Sequence, residues 1–283
     1  MGKSLVIAEK PSVAADIARA IGGLKKEGDH YVGEHYIVAS AVGHLLELKE
    51  PPEYEVKRGK WSFAHLPVIP SHFDLSPIKK SEAKLNSLKK LIKSREVDKL
   101  INACDAGREG ELIFRYIVEA VKSKKPIERL WLQSMTKHAI VEAFKHLRSD
   151  EEMQSLADAA RSRSEADWLV GINGTRALTA FNSKDGGFFL TTVGRVQTPT
   201  LALVVKREEQ IRAFVPTSYW EVHAEFKVAE GNYSGKFFDP KFKKSSDPVK
   251  KAERLFSAEE AAKIADACRG KTGTAVDTSK PST

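Results

Sequence analysis

The sequence predicts an α/β fold with a mostly parallel sheet, then a mainly helical region, then the start of a β-rich region. Three observations predict it. Strand-like and helix-like stretches alternate through the first 150 residues, the pattern that crossover-linked parallel strands require. Residues 151–180 then run without proline, with glycine only at Gly171 and Gly174, and with apolar residues at helical spacing. From Tyr219 apolar and polar residues alternate one by one, which is strand periodicity.

The elements follow in order. Ser4–Ala8 is a short apolar run, as a strand buried on both faces would be. Pro11 and Ser12 open a helix carrying Ile17, Ala18 and Ile21, and Gly22-Gly23 stops it. Tyr36–Val42 reads as the second strand, and Ser81–Ile92 as a helix with Leu85, Leu88 and Ile92 on one face. Lys99–Ala103 is the third strand, Glu109–Val121 the helix after it, and Ile127–Leu132 the fourth strand. Thr136–Leu147, Glu151–Ala180 and Thr198–Arg212 read as helices, the last with Leu201, Val204 and Val205 as its apolar positions. The stretch after Tyr219 reads as a half-buried strand. Ser257 to Glu260 has the spacing of a capping box, opening a helix that ends at Gly270. Thr272–Asp277 is a last candidate strand. No repeat of 20–50 residues is present.

Composition narrows the function classes. Of 283 residues, 41% are hydrophobic and 30% charged, a globular balance that excludes a wholly disordered chain. Two cysteines, Cys104 and Cys268, are too few for a disulfide framework or a cysteine-rich zinc site, and suit a reducing compartment. No apolar run is long enough to span a bilayer, and the N-terminus lacks a signal peptide's apolar stretch. A cytoplasmic protein without a membrane partner is expected. The net charge of +8 leans toward an anionic partner, nucleic acid first. Its densest stretches, 79–99 and 236–251, read as solvated faces.

The chemistry concentrates in Asp105-Ala-Gly-Arg-Glu-Gly-Glu111. It sits where a strand gives way to a helix, the place where α/β sheets bind ligands. Glu9 ends the first strand in the same way. Parallel strands can bring Glu9, Asp105 and Glu109 together, and clustered carboxylates repel, which favours a divalent cation. Oxygen ligands suit Mg²⁺, which keeps several waters and bridges to phosphate. Lys10 and Arg108 lie beside the acids. Such a set fits phosphate handling, with arginine and metal holding charge and lysine able to give a proton. The competing reading is surface charge at strand ends, with Gly107 and Gly110 as turn residues.

Glu9-Lys-Pro-Ser12 followed by the 105–111 motif resembles the Toprim signature, a single Glu on one strand and Asp-x-Asp on another. Residues 161–179 (RSRSEADWLVGINGTRALT) and 193–199 (VGRVQTP) resemble type IA DNA topoisomerases, most closely their topoisomerase III branch. The resemblance runs from about Lys3 to about Arg212. It implies a Rossmann-like Toprim metal-binding domain over 1–150, a helical single-stranded-DNA-binding domain over 151–215, and over 216–283 the incomplete start of a β-rich arch domain. It implies enzymes that cut one DNA strand onto a tyrosine, pass another strand through and reseal. They use Mg²⁺ and no nucleotide cofactor, relaxing negatively supercoiled DNA or decatenating it.

By the same resemblance Glu9, Asp105 and Glu109 hold the metal, and Glu9, Lys10 and Arg108 are catalytic. Lys10 is then the candidate proton donor to the leaving 3′ oxygen. Gly107 stands where the second Asp of Asp-x-Asp belongs, which weakens the metal site unless Glu111 compensates. Single-stranded DNA is expected on Trp61, Arg163, Trp168, Arg176 and the segment Thr192, Val193, Gly194, Arg195, Val196, Gln197. Arginine neutralises phosphate, an indole can stack on a base, and Gly194 lets backbone approach the strand. A single histidine beside apolar residues, His44, reads as structural. Protein partners are not indicated.

None of the six tyrosines, Tyr31, Tyr36, Tyr54, Tyr116, Tyr219 and Tyr233, is followed by Pro-Arg, the family's nucleophile motif. The chain therefore reads as the N-terminal part of a longer enzyme, a reading that its ending after Lys280-Pro281 also favours. A natural short single-strand-binding remnant without activity is the alternative, and another Toprim enzyme such as a primase or nuclease would lack the 161–179 and 193–199 motifs.

Overall fold

The central sheet is built as its sequence pattern requires. In the computed structural model, which describes residues 2–50, 52–56 and 60–276, strand β1 (Lys3–Ala8) is followed by helix α1 (Pro11–Ile21), β2 (Lys25–Glu27), β3 (His30–Val32) and β4 (Tyr36–Ser40). Next come β5 (Leu46–Leu48), β6 (Leu75–Pro77), α2 (Glu82–Lys93), β7 (Val97–Ala103) and α3 (Arg108–Val121). Strand β8 (Ile127–Arg129), α4 (Lys137–Lys145), β9 (Arg148–Ser149) and the long α5 (Asp150–Asn182) follow. The chain continues through α6 (Gln197–Arg212), β10 (His223–Val228), β11 (Gly231–Lys236) and α7 (Ala258–Cys268).

Seven strands form the main sheet in the order β2-β3-β4-β1-β7-β8-β9. The four inner strands are parallel, and antiparallel pairs close both edges. Strand β1 shows why its residues read as one apolar run. Leu5 and Ile7 pack on one face with Leu85, Leu88, Phe114 and Ile117 of α2 and α3. Val6 and Ala8 pack on the other with Ala14, Ile17 and Ile140 of α1 and α4. Each large side chain buried this way contributes about 1.5–3 kcal/mol.

Several expectations differ in detail. The hairpin β2–β3 is absent from the sequence reading, because Lys25–Glu27 is fully charged and exposed; Gly28, at φ 59°, makes its turn. Strand β8 stops at Arg129, three residues early. Helix α5 starts at a reciprocal capping box, Ser149 with Glu152.

The chain divides into two compact units, Met1–Leu203 and Val204–Thr283. The second holds the β10–β11 hairpin, with Phe226 stacked on Tyr233 at 5.1 Å, and α7. Ser257 caps α7 by accepting from the Glu260 amide at 3.3 Å. Strand β10 is exposed along nearly its whole length, so it is not the half-buried strand its alternation suggests. Leu201, Val204 and Val205 of α6 are likewise exposed. Residues 272–276 form no strand. Asp277 and the ending after Lys280-Pro281 lie outside the described residues.

Candidate metal and nucleic-acid site

Ala8 of β1 stands beside Ala103 of β7 in register. The next residues of both strands therefore emerge at the same edge of the sheet, and this brings Glu9 and Asp105 together around one cation. That cation is the Lys10 ammonium, 3.1 Å from Asp105 Oδ2 and 3.5 Å from Glu9 Oε1. The hydrogen bond to Asp105, then the charge of Glu9, raise the Lys10 pKa above its ordinary value. The pair of carboxylates thus accepts positive charge between them, and their oxygens are of the kind that Mg²⁺ takes.

Glu109 has other partners. Its carboxylate lies 3.6 Å from His44 Nε2 and 3.8 Å from Arg163 Nε. Among the described residues, no three His, Cys, Asp or Glu side chains converge as a preformed metal cluster. His44, expected to be structural, lies at the surface beside the motif. Its side chain is 42% exposed and faces Glu109. Arg108 is exposed and makes no hydrogen bond or ion pair with the described residues.

The two glycines of the motif differ. A Cβ on Gly107 would meet open space. One on Gly110 would overlap the Asp105 carbonyl oxygen and lie 2.7 Å from the Asp105 nitrogen. Only glycine lets the first turn of α3 pass so close to the Asp105 backbone.

Behind the turn lies a buried polar network. Arg129, 1% exposed, donates to the Asn102, Cys104 and Asp105 carbonyls at 3.0, 2.8 and 2.7 Å. Glu111, also 1% exposed, accepts from Asn102 Nδ2 at 2.9 Å and Arg115 Nε at 2.8 Å, and lies 3.5 Å from Arg129 Nε. Glu111 therefore does not compensate for Gly107. It is committed to the cations behind the site. Cys104 is buried, and burial pushes its thiol pKa up. The sequence reading gave no role to Asn102, Arg129 or Asp167; a polar Asn inside the buried-type strand 99–103, and an Arg in the apolar run 127–132, are the available signals.

From Glu109 a row of alternating charges runs along α5. Arg163 lies 3.7 Å from Asp167 Oδ2, and Asp167 Oδ1 accepts from Arg195 Nη1 at 2.7 Å. Arg195 belongs to the 192–197 segment, whose Thr192, Val196 and Gln197 are exposed while Val193 and Gly194 are half-buried. Val193 packs into the space left by Gly174, where a Cβ would stand 2.8 Å from Val193 Cγ1.

Two of the expected DNA contacts, Arg176 and Trp61, have partners within the protein. Arg176 is only 4% exposed. Its guanidinium donates to the Tyr54 carbonyl at 2.9 Å, pairs with Glu50 and covers the Trp61 ring at 5.6 Å. It has no free face for a phosphate. Trp61 is half-buried by Arg176 and by the edge of Phe188, and its Nε1 donates to the Val56 carbonyl. Trp168 packs edge-on against Phe73 at 5.5 Å and stays half-exposed.

A model of the Toprim domain family matches residues 4–135, and one described as DNA topoisomerase matches residues 151–282. Between them they account for nearly the whole sequence. The chain belongs to the type IA DNA topoisomerases, on their topoisomerase III branch. It is 45% identical to DNA topoisomerase 3 of Bacillus subtilis over 79% of its length, and 40% identical to that of Bacillus licheniformis over 99%. It spans 30% and 36% of the length of those two relatives. A solved structure of full-length topoisomerase I from Thermotoga maritima shares the fold, with a TM-score of 0.56 at 24% identity over 92% of this chain and 37% of that one. Among the described residues, no helix is long and apolar enough to cross a membrane.

Proposed function

We propose that this chain is the metal-binding and strand-binding part of an ATP-independent, Mg²⁺-dependent topoisomerase that cuts one DNA strand, passes another and reseals the first. The observation that carries this reading is a pair of charge sets on one motif: Glu9, Lys10 and Asp105 at the strand ends, and a row from Glu109 through Arg163 and Asp167 to Arg195. The 105–111 motif carries both Asp105 and Glu109, and so joins the strand-end carboxylates to the segment with the family's strand-contact motif. On this reading residues 1–150 form the metal-binding domain, 151–215 the single-strand-binding domain, and 216–283 begin an arch. The enzyme would act on DNA in the cytoplasm.

Glu9 and Asp105 would hold Mg²⁺, while Glu109 stands at the edge and keeps Arg163 in place. Bound there, the metal supplies positive charge against a phosphate oxygen. The chain's own groups do the rest. Lys10 carries its proton at Nζ beside the two carboxylates, where the leaving 3′ oxygen needs one. Arg195 and Arg163 neutralise phosphate along the strand, and Asp167 holds both until a phosphate replaces it. Trp168 offers a half-exposed ring for a base. The nucleophilic tyrosine is not among the six tyrosines of this sequence, so this chain binds DNA without cutting it.

The test pairs fluorescence anisotropy on a labelled oligothymidylate with a supercoiled-plasmid relaxation assay, both in Mg²⁺. Tight, salt-sensitive binding of single strands over duplex, with no relaxation, is expected. Relaxation by the purified chain would overturn the statement about the nucleophile. Equal affinity for single strand and duplex would overturn the strand-binding reading.

A further inference from the structure

The segment that carries Arg195 is fastened to α5 in a regular way. The amide of Phe189 donates to Ser183 Oγ, that of Thr191 to Thr179 Oγ1 and that of Val193 to Thr175 Oγ1, each at 3.0 Å. The acceptors stand four residues apart, two in α5 and Ser183 at its C-terminal cap, and the donors are every second residue of the segment. Four helical residues advance about 6 Å and two extended residues about 6.6 Å. The two repeats therefore stay in step over three rungs, with segment and helix running antiparallel. Asn182 Nδ2 adds a bond to Thr191 Oγ1 at 2.7 Å. Gly174 makes room for Val193, and the long Arg195 side chain reaches on to Asp167.

The alternate amides, of Leu190 and Thr192, have no protein acceptor among the described residues. The amides of the segment are thus bonded on alternate residues only, to side-chain hydroxyls, and Thr175 also faces the Val193 carbonyl at 3.5 Å. A sheet would have fixed both edges of an internal strand. Of the three acceptors Thr179 is buried, while Thr175 and Ser183 are half-buried. Their evident effect is on register.

We propose that Thr175, Thr179 and Ser183 form a hydroxyl ladder that sets the register of residues 189–195 on α5, and so positions Arg195 for the phosphates of a single strand. This rests on the strand-binding reading of residues 192–197. The three hydroxyls are positioning residues. They touch no nucleic acid and act through the backbone of the segment.

The experiment uses the full chain and a fluorescein-labelled oligothymidylate at fixed salt. Thr175→Val removes the acceptor while keeping the shape, and about a tenfold loss of affinity is expected from one unmade, half-buried hydrogen bond. Thr175→Ser keeps the oxygen and binds like the parent. In an Arg195→Ala background Thr175→Val has no further effect. Amide hydrogen exchange gives an independent readout. Phe189, Thr191 and Val193 are protected relative to Leu190 and Thr192, and Thr175→Val releases Val193. Should that variant fail to fold, Thr179→Val carries the same expectation at Thr191. A loss with Arg195→Ala but none with Thr175→Val would overturn the ladder alone, as would equal losses from Thr175→Val in both backgrounds. Unchanged affinity for Arg195→Ala would overturn the strand-binding reading itself, and the positioning role with it.

Discussion

Glu109 and Glu111 stand two residues apart in the first turn of one helix and do opposite things. Glu111 points inward and is shared by Asn102, Arg115 and Arg129. Glu109 points outward, 64% exposed, and meets His44 and Arg163 at ion-pair distances of 3.6–3.8 Å. The same chemistry therefore builds a rigid backing on one side and an adjustable surface on the other. Burial makes the difference. Where water is excluded, a carboxylate must keep its partners. Where water and salt screen it, partners can be exchanged for a phosphate at little cost. The site gains both properties from one turn: an Asp105 backbone fixed by Arg129, and a charge row open to solvent.

The largest effect tests the buried side. Glu111→Leu leaves the Arg129 guanidinium, whose pKa burial already pulls down, without its carboxylate. Losing one partner of a buried pair costs about 3–5 kcal/mol, so urea denaturation should find a loss of that size in this unit. A loss under about 1 kcal/mol would mean that the network is hydrated, and the contrast with Glu109 would collapse. Next comes Gly110→Ala, between the two glutamates. Its Cβ would strike the Asp105 backbone, which cannot swing away as a side chain can. About 3 kcal/mol is expected, the upper end for overpacking. Gly107→Ala, into open space, should stay within about 0.5 kcal/mol by the same measurement.

The contrast explains what the sequence could and could not reveal. The parallel sheet was legible because Leu5 to Ala8 are apolar on both faces, and the helices because their turn residues and caps stand at their ends. Glu9, Lys10 and Asp105 were legible because residues just past parallel strands share one edge. Arg176 was not. Charge on a helix reads as surface, and only the tertiary fold brings Glu50, Tyr54 and Trp61 over it. Glu111 was ambiguous for the same reason. A helical position one hundred degrees round from Gly110 can face in or out, and no local signal names the buried cations. The hydroxyls of Thr175, Thr179 and Ser183 were invisible too, since their partners are backbone amides of a segment with no periodic pattern.

The smallest effect belongs to exposed pairs in general, and a close one on α2 tests it. Lys84 Nζ lies 2.7 Å from Asp29 Oδ2, joining α2 to the β2–β3 turn. The Lys84 hydrogen bond brings the Asp29 pKa down to about 2 from 3.8. Asp29 is 47% exposed, so screening limits what the pair contributes, and Lys84→Met should cost less than about 1 kcal/mol at neutral pH. The sign of the pH dependence follows from the direction of the shift. A carboxylate with a depressed folded pKa contributes its stability above the unfolded value near 4, and loses it as pH falls toward 2. Parent and Lys84→Met denaturation midpoints should therefore differ at pH 6 and converge between about pH 4 and pH 2. A gap as wide as that of Glu111→Leu would show that exposure does not separate the two kinds of pair, because Lys84–Asp29 has the better geometry and lacks only the burial.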